Sequence, residues 1–511
     1  MESSIKSGSY TVRLDSQDNV VMALTNLSFG DRVEKDLVCL DPIPKGHKVA
    51  TNNIGTDEPI KKYGHIIGFA SRPIKAGELV HSHNVRLYDF NRGHAIGAEA
   101  RPTEYIPDGK RAYFQGILRQ DGQVGTRNHI GVLSTVSCSN TVARLIADSF
   151  RLEGLKHYPS VDSVVTLRQS AGCGMAKYSE GFELLQRTMG GYARHPNFAG
   201  ILVVGLGCEV NQIDCLLANM NLNTTALIST LNIQELGGTE KAVRFGVERI
   251  QSMLPHADLV RRQLFPANSL IVGLECGGSD AYSGLSANPA LGAAADLVVR
   301  HGGTVILSET PEIYGAEHLL NLRAANKEIG EKLIERIQWW KAYSTKHGSE
   351  INSNVSPGNK AGGITNILEK SLGAVAKGGT TNLVEVYGYA EKVSAKGLVF
   401  MDTPGYDLVS MTGMIAGGAN LICFTTGRGS VCGCKPVPAL KLASNSQIYR
   451  SMEGDMDIDC GVILDGGASI PEMGQRIFQL ILETASGRKT KSEILGFGDD
   501  EFIPWHIGAV T

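Results

Sequence analysis

The sequence predicts an α/β protein with a small all-β domain at its N-terminal end, and three observations predict it. Residues 10–90 hold short runs rich in β-branched residues, broken at regular intervals by turn signals, as in a small all-β module. From about residue 114 the pattern becomes strand, loop and helix in alternation, which builds βαβ units and mostly parallel sheets. The strands of this second pattern are continuously apolar, as strands covered on both faces are.

The first runs are YTVRL, NVVMAL, LVCL, HKVAT, IIGFA and LVHSHNV, with SFGD, PIPKG, GTDEP and IKAGE between them. They set a first domain over residues 8–90. LYDFNRGHAIGAEARPTEYIPDGKRAY follows with proline, glycine, mixed charge and little periodicity, and a linker is expected over 91–113. IGVLSTV, VDSVVTL and GILVVGL then alternate with helical NTVARLIADSF and YSEGFELLQRTM, giving a central α/β domain over 114–265. A second series, LIVGLEC, TVILSE, LVEVYG, GLVFMD and LICFTTG, predicts a Rossmann-like, mostly parallel sheet flanked by helices over 266–511.

With 42% hydrophobic and 20% charged residues, the chain can bury full cores. A net charge of -3 offers no basic surface for nucleic acid, and the apolar runs are too short to cross a bilayer. MESSIKSGSYTVRL lacks a charged region followed by an apolar one, so a cytoplasmic protein is expected. Ten cysteines are too sparse for a disulfide scaffold.

In parallel sheets, ligands bind beyond the carboxyl ends of the strands, so the loops there carry the candidates. ECGGSDAYSGLSANP, SETPEIYGAEH, SPGNKAGGITN, DTPGYD and TTGRGS are dense in glycine and acids, with one lysine and one arginine that stand out. Lys360, between PGN and AGG, sits where backbone approaches a ligand closely; a solvated surface lysine is the plainer reading. Arg428, between two glycines, can clamp a carboxylate in a fork, although TGRGS also reads as an ordinary turn. Asp280, Glu309, Glu312, Asp402 and Asp407 are hard oxygen ligands or bases if they converge. No glycine-rich nucleotide fingerprint stands in a convincing place. In VHSHNVR, an extended segment would put His81 and His83 on one face, able to hold a divalent ion; the alternative is an exposed polar strand face. Cys138, Cys173, Cys208 and Cys276 each end or follow a short apolar run. One such cysteine is ordinarily a small buried hydrophobe, but four at strand ends point jointly to a shared role.

ECGGSDAYSGLSANP, PEIYGAEHLL, SPGNKAGGITNILEKSLG and FTTGRGS closely resemble the altronate and galactarate dehydratase family. RQDGQVGTRNHIGVLSTVSC and ILVVGLGCE resemble its second domain, while PIPKGHKVA and KKYGHIIGFA resemble the small β-clip domain, of the SAF type, that begins these enzymes. The HxHN of residues 81–84 resembles the altronate-type members and the small subunit of sulfolactate sulfo-lyase. GRGSVCGCKPVP departs from the family's GRGTPYG and brings in Cys432 and Cys434, a change that bears on the substrate.

The resemblance implies a metal-dependent hydro-lyase that eliminates water from a sugar acid to give a 2-keto-3-deoxy acid, with D-altronate to 2-dehydro-3-deoxy-D-gluconate first in line. Galactarate or another aldonate or aldarate is the alternative substrate, and sulfite elimination from sulfolactate the alternative reaction. A sugar-acid sensor without catalysis is the alternative from another class. The expected ion is Fe2+, or else Mn2+, on His81 and His83; the rival is an iron–sulfur cluster on Cys138, Cys173, Cys208 and Cys276. In this scheme Lys360 takes the C2 proton, Arg428 holds the carboxylate, and Asn84, Arg86, Ser279 and Asn359 surround the substrate. Asp280 and Glu309 bind hydroxyls or complete the ion's shell. The expected partners are the sugar acid and a second copy of the chain, joined through the central domain.

Overall fold

The computed structural model describes residues 10–508 apart from 35, 89–92, 94, 152–153 and 223–226. Residues 1–9, inspected above for a leader, and part of the expected linker lie outside the described residues.

The small domain is built of short antiparallel pairs, such as Val20–Ala23 with Lys48–Ala50 and Pro59–Lys62 with His65–Ala70. Val21, Val33, Ile43 and Val49 form one of its apolar cores. Its last run differs from expectation. Leu79–Val80 and Val85–Arg86 are separate strands, and residues 81–84 form a turn between them. Asn84 makes the turn: its Oδ1 accepts the His81 N–H at 2.9 Å, and its Nδ2 donates to the Leu79 carbonyl at 2.8 Å. His81 and His83 therefore do not share a strand face.

Residues 97–106 run along the C-terminal domain. The Gly97 N–H donates to Asn321 O and the Ile106 N–H to Arg300 O, each at 2.8 Å. Tyr113–Leu118 then pairs antiparallel with Gln263–Pro266, so the chain enters and leaves the central domain side by side.

Between them stand β1 (His129–Ser134), α1 (Asn140–Asp148), β2 (Ser163–Leu167), α2 (Glu180–Ala193), β3 (Phe198–Gly205) and β4 (Ile228–Asn232). The strands are parallel in the order β2-β1-β3-β4. Ser179 starts α2 by accepting the Phe182 N–H, with two glutamates in the first turn where the helix dipole favours them.

The C-terminal domain comprises β5 (Ile271–Cys276), α3 (Ala287–Arg300), β6 (Thr304–Leu307), α4 (Lys327–Lys346), α5 (Ile367–Val375), β7 (Leu383–Tyr387), β8 (Gly397–Met401), α6 (Asp407–Ala416), β9 (Leu421–Thr426), β10 (Ala439–Ala443), β11 (Ile458–Asp459) and α7 (Ile470–Ala485). Its seven strands are parallel in the order β7-β8-β6-β5-β9-β10-β11. From β5 the chain places β6, β7 and β8 on one side, with β7 at the edge, then returns at β9 to build on the other. The carboxyl end of β5 is thus the switch point, where open α/β sheets form their crevice. Ahead of α4 stands a short helix, Glu317–Asn321, and Asn326 caps α4 by accepting the Ile329 N–H. No helix among the described residues is long and apolar enough to cross a membrane.

Candidate active site

β5 delivers Glu275 and Cys276 to the switch point, both fully buried. Gly277 follows, and a Cβ there would collide with the Asp407 carboxylate at the start of α6, so only glycine lets the two segments close. Beyond β6, Glu309 holds the left-handed conformation at φ 66, fixed by its N–H donating to Thr403 Oγ1 at 2.8 Å. Such a conformation is costly for a residue with a side chain and is kept where the surroundings require it. Glu312 lies one turn further on. Opposite, Lys370 and Lys377 come from α5 and the turn after it, in a helix whose every residue is buried.

These groups form one cluster. Lys377 Nζ lies 2.7 Å from Cys276 Sγ and 3.3 Å from Glu309 Oε2. Cys276 Sγ is 3.7 Å from Glu309 Oε2 and 3.6 Å from Glu312 Oε2. Lys370 Nζ donates to Glu312 Oε1 at 2.8 Å and to Asn354 Oδ1 at 2.6 Å. Glu275 Oε2 and Glu309 Oε1 are buried without a hydrogen-bond partner among the described residues.

Four carboxyls face two ammoniums here, and burial resolves the excess by raising acid pKa values. Burial, then the Glu309 charge, holds Glu275 well above the carboxylate range; burial, then Glu312, raises Glu309. Burial pushes Asp407 up to about 7 and the Cys276 thiol up to about 12. Burial opposes the charge on both lysines, but Glu312 beside Lys370, and Cys276 and Glu309 beside Lys377, outweigh it and keep both ammoniums charged.

The residues singled out in the sequence divide into three groups. Ser279, Asp280, Asn359, Lys360 and Arg428 gather around the loop after β5. Asn359 Nδ2 donates to Ser279 O at 2.8 Å, and the Arg428 N–H donates to Gly278 O at 2.8 Å. Asp280 Oδ1 accepts from Tyr282, Ser283 and Ser444 and its Oδ2 from Asn445, so it ties the loop to the end of β10. Asn359 also caps its own short helix with Ser356. Lys360 is half-buried and Arg428 exposed, and neither side chain has a hydrogen bond or ion pair among the described residues.

The second group lies in the small domain. Asn84 is spent on its turn, and Arg86 pairs with Asp57 at the surface. His83 is exposed, while the His81 ring stands 5.0 Å from His47 and 3.4 Å from Thr365 Oγ1. Burial and the nearby Lys48 push His81 down to about 4. Among the described residues, His81 and His83 belong to no group of three metal donors within 4.8 Å. Third, Cys138, Cys173 and Cys208 are exposed in the central domain, whereas Cys276 is buried in the acid cluster, so the four do not form one set. Asp402 accepts from Thr310 and from Trp340 Nε1 and braces the fold. The departing loop buries Cys434 and half-buries Cys432.

Sequence reasoning missed Glu275, Lys370 and Lys377. The signal was present: two lysines seven residues apart inside ILEKSLGAVAKGG, an otherwise apolar run in which a charge needs a buried partner.

The small domain closes over this region. Lys48 and Lys62 both reach Glu369 on α5, at 2.9 and 2.8 Å. Burial opposes the Glu369 charge, but the two ammoniums hold its carboxyl far below the usual range. With one carboxylate between two lysines, one ammonium is poorly compensated, and burial pushes Lys48 down to about 8.

Three family models match the chain. "D-galactarate/Altronate dehydratase, C-terminal" matches residues 267–510, "D-galactarate dehydratase/Altronate hydrolase, second domain" residues 116–258, and "Altronate/galactarate dehydratase SAF domain" residues 9–88. An altronate dehydratase of Bacillus subtilis (strain 168) is 32% identical over 94% of this chain and 96% of its own length. A galactarate dehydratase (L-threo-forming) of Escherichia coli (strain K12) is 35% identical over 94% and 93%. The (2R)-sulfolactate sulfo-lyase subunit beta of Chromohalobacter salexigens is 30% identical over 75% of this chain and 95% of its own length.

Proposed function

The chain belongs to the D-galactarate/altronate dehydratase family, and on that premise we propose that it converts D-altronate to 2-dehydro-3-deoxy-D-gluconate with the help of Fe2+. It is a hydro-lyase acting on a sugar acid. The observation that carries the finer reading is the buried cluster at the end of β5, where four carboxyls face two ammoniums. The excess suits one divalent cation.

The donors fit such an ion. Glu309 belongs to two triads, Cys276–Glu309–Glu312 and Glu275–Glu309–Asp407, each with donor atoms within 4.8 Å of one another. Oxygen donors with at most one sulfur suit Fe2+ or Mn2+. This reading moves the ion from the histidine pair to the acid cluster. When bound, the ion supplies Lewis-acid neutralisation of the charge that grows on the substrate.

The chain's own groups do the rest. Arg428, exposed at the rim, forks onto the substrate carboxylate. Lys360, on the helix that Asn359 pins to Ser279, takes the C2 proton. As Lys360 takes the C2 proton, the C2–H electron pair forms the C2–C3 double bond and the C3–oxygen bond breaks. The departing hydroxide takes the proton back from the Lys360 ammonium and leaves as water, and the enol tautomerises to the 2-keto acid. Lys370 and Lys377 stay cationic and hold the carboxylates in place. Sulfite elimination from sulfolactate follows the same first step, and the likeness to the sulfo-lyase subunit keeps it as the second reading.

The test is keto-acid formation from a panel of aldonates, aldarates and (2R)-sulfolactate, with Fe2+ under reducing conditions. Turnover of D-altronate above the others is expected, and chelation should abolish it. A preference for galactarate or sulfolactate overturns the substrate, and full activity in metal-free protein overturns the ion.

A further inference from the structure

The central sheet has a carboxyl edge of its own, which the dehydratase site does not use. Cys138 lies in the turn after β1, Cys173 in the loop after β2 and Cys208 just after β3, three neighbouring strands. Hydrogen bonds knit the three loops together. The Ser137 N–H donates to Ala171 O at 3.2 Å, and the Asn211 N–H to Gly172 O at 3.0 Å. Thr135 O accepts from Gln169 Nε2 and Asn211 Nδ2, each at 2.9 Å. Gly172, at φ 98, lies directly on Thr135, so the Cys173 loop crosses the end of β1 between the other two.

Exposure separates these thiols from the rest. Of ten free cysteines, Cys138, Cys173 and Cys208 are the three that are exposed, and all lie at this edge. Cysteine is among the most buried residue types, and exposed thiols are prone to oxidation. A bound group that covers all three accounts for the pattern. Spacing chooses the group. A single tetrahedral Zn2+, with sulfurs at about 2.3 Å, needs them ~3.8 Å apart, yet the three do not gather within 4.8 Å of one another. A cubane cluster places its own irons between the thiolates and spans a wider set. Two features favour its negative charge: α1 begins just after Cys138, and Gln234 Nε2 donates to Cys208 Sγ at 3.4 Å.

We infer that Cys138, Cys173 and Cys208 hold a four-iron, four-sulfur cluster at the edge of the central sheet, with the fourth iron open to an outside ligand. Cys276 is not a ligand, because its contacts lie within the buried acid cluster. The site stands apart from the dehydratase reading and survives its failure.

The test uses the full chain purified without oxygen. About four acid-labile sulfides per chain are expected, with about four irons beyond the one that the acid cluster would hold, and broad visible absorbance. Cys138→Ser, Cys173→Ser and Cys208→Ser should each lower the sulfide at least about fivefold, while Cys276→Ser keeps it. Alkylation of the native protein checks the same point without mutation: these three thiols should be protected until the cluster is stripped. Iron without labile sulfide, zinc in its place, three freely alkylated thiols, or sulfide lost only in Cys276→Ser would each overturn the assignment.

Discussion

The two parallel sheets end in unlike ways at their carboxyl edges. Beyond β5, β6 and β8 the C-terminal sheet gathers Glu275, Cys276, Glu309, Glu312 and Asp407 against Lys370 and Lys377, in a region roofed by the small domain. Beyond β1, β2 and β3 the central sheet presents three thiols to solvent, among serine, glycine and amide side chains. Strand order fixes where a site forms, whereas the roof fixes which groups can stay there. Roofed charges must be paired, because an unpaired buried ion costs several kcal/mol. Open thiols carry no such constraint.

The sharpest way to break this comparison is to remove one buried cation. Lys377→Met leaves Cys276 and Glu309 without their nearest ammonium and should cost about 3–5 kcal/mol in urea unfolding. Cys208→Ser, at the open edge, should shift the iron-free protein by less than about 0.5 kcal/mol. Equal losses would show that both edges are held alike. The roof itself is the next target. Glu369→Gln strands Lys48 and Lys62 without a counter-charge, at a cost of about 3 kcal/mol. Hydrogen exchange should then quicken over residues 48–70 and stay unchanged in the central sheet.

Much of this was legible in the sequence, for definite reasons. The strands LIVGLEC, TVILSE, GLVFMD and LICFTTG were readable because strands covered on both faces are continuously apolar. Glu309 was readable because it follows such a strand. Glu275 was not, since the penultimate residue of an apolar strand shows nothing of what it faces. Lys370 and Lys377 were hidden because their partners, Glu312 after β6 and Cys276 at the end of β5, lie about sixty and a hundred residues earlier. The HxHN turn was misread for a local reason. Asn84 folds back onto its own backbone, a habit of asparagine that competes with extended structure.

Turnover tests the rim between the two layers. Lys360→Met keeps length and loses the amine, so kcat should fall about 10²-fold with KM little changed. Exchange of the C2 proton with deuterated solvent decides the role: a variant that exchanges at the normal rate excludes Lys360 as the base.

Acid separates the sheets in another way. His129 bonds Ser163 Oγ inside the central domain, and His195 joins that domain to Ala419 O. Burial pushes both down to about 4. The folded values lie below the unfolded value of about 6.5, so the folded state binds fewer protons. Their contribution is full above pH ~6.5 and is lost as pH falls through about 4. The unfolding free energy from urea titrations should drop across that window by about 3 kcal/mol per histidine. His129→Gln should flatten the drop, and a profile unchanged by the substitution would place the acid sensitivity elsewhere.

The smallest effect is expected at Arg428. Its guanidinium is exposed and has no partner among the described residues beside the loop that leads from Cys276, whereas Arg168, after β2 in the central sheet, is already paired with Asp500. Arg428→Lys keeps the charge but loses the two-pronged fork, so KM for the sugar acid should rise about tenfold, roughly 1.4 kcal/mol. kcat should stay within about twofold, since a contact made equally to ground state and transition state changes affinity alone. Arg168→Lys should leave both constants unchanged, because its partner is the protein's own C-terminal segment. Two outcomes carry different meanings. A fall in kcat at constant KM would make Arg428 a group that acts on the transition state, and so part of the chemistry rather than the clamp. A rise in KM for Arg168→Lys would mean that the central edge also touches substrate, and the contrast between an active roofed edge and a separate open one would fail.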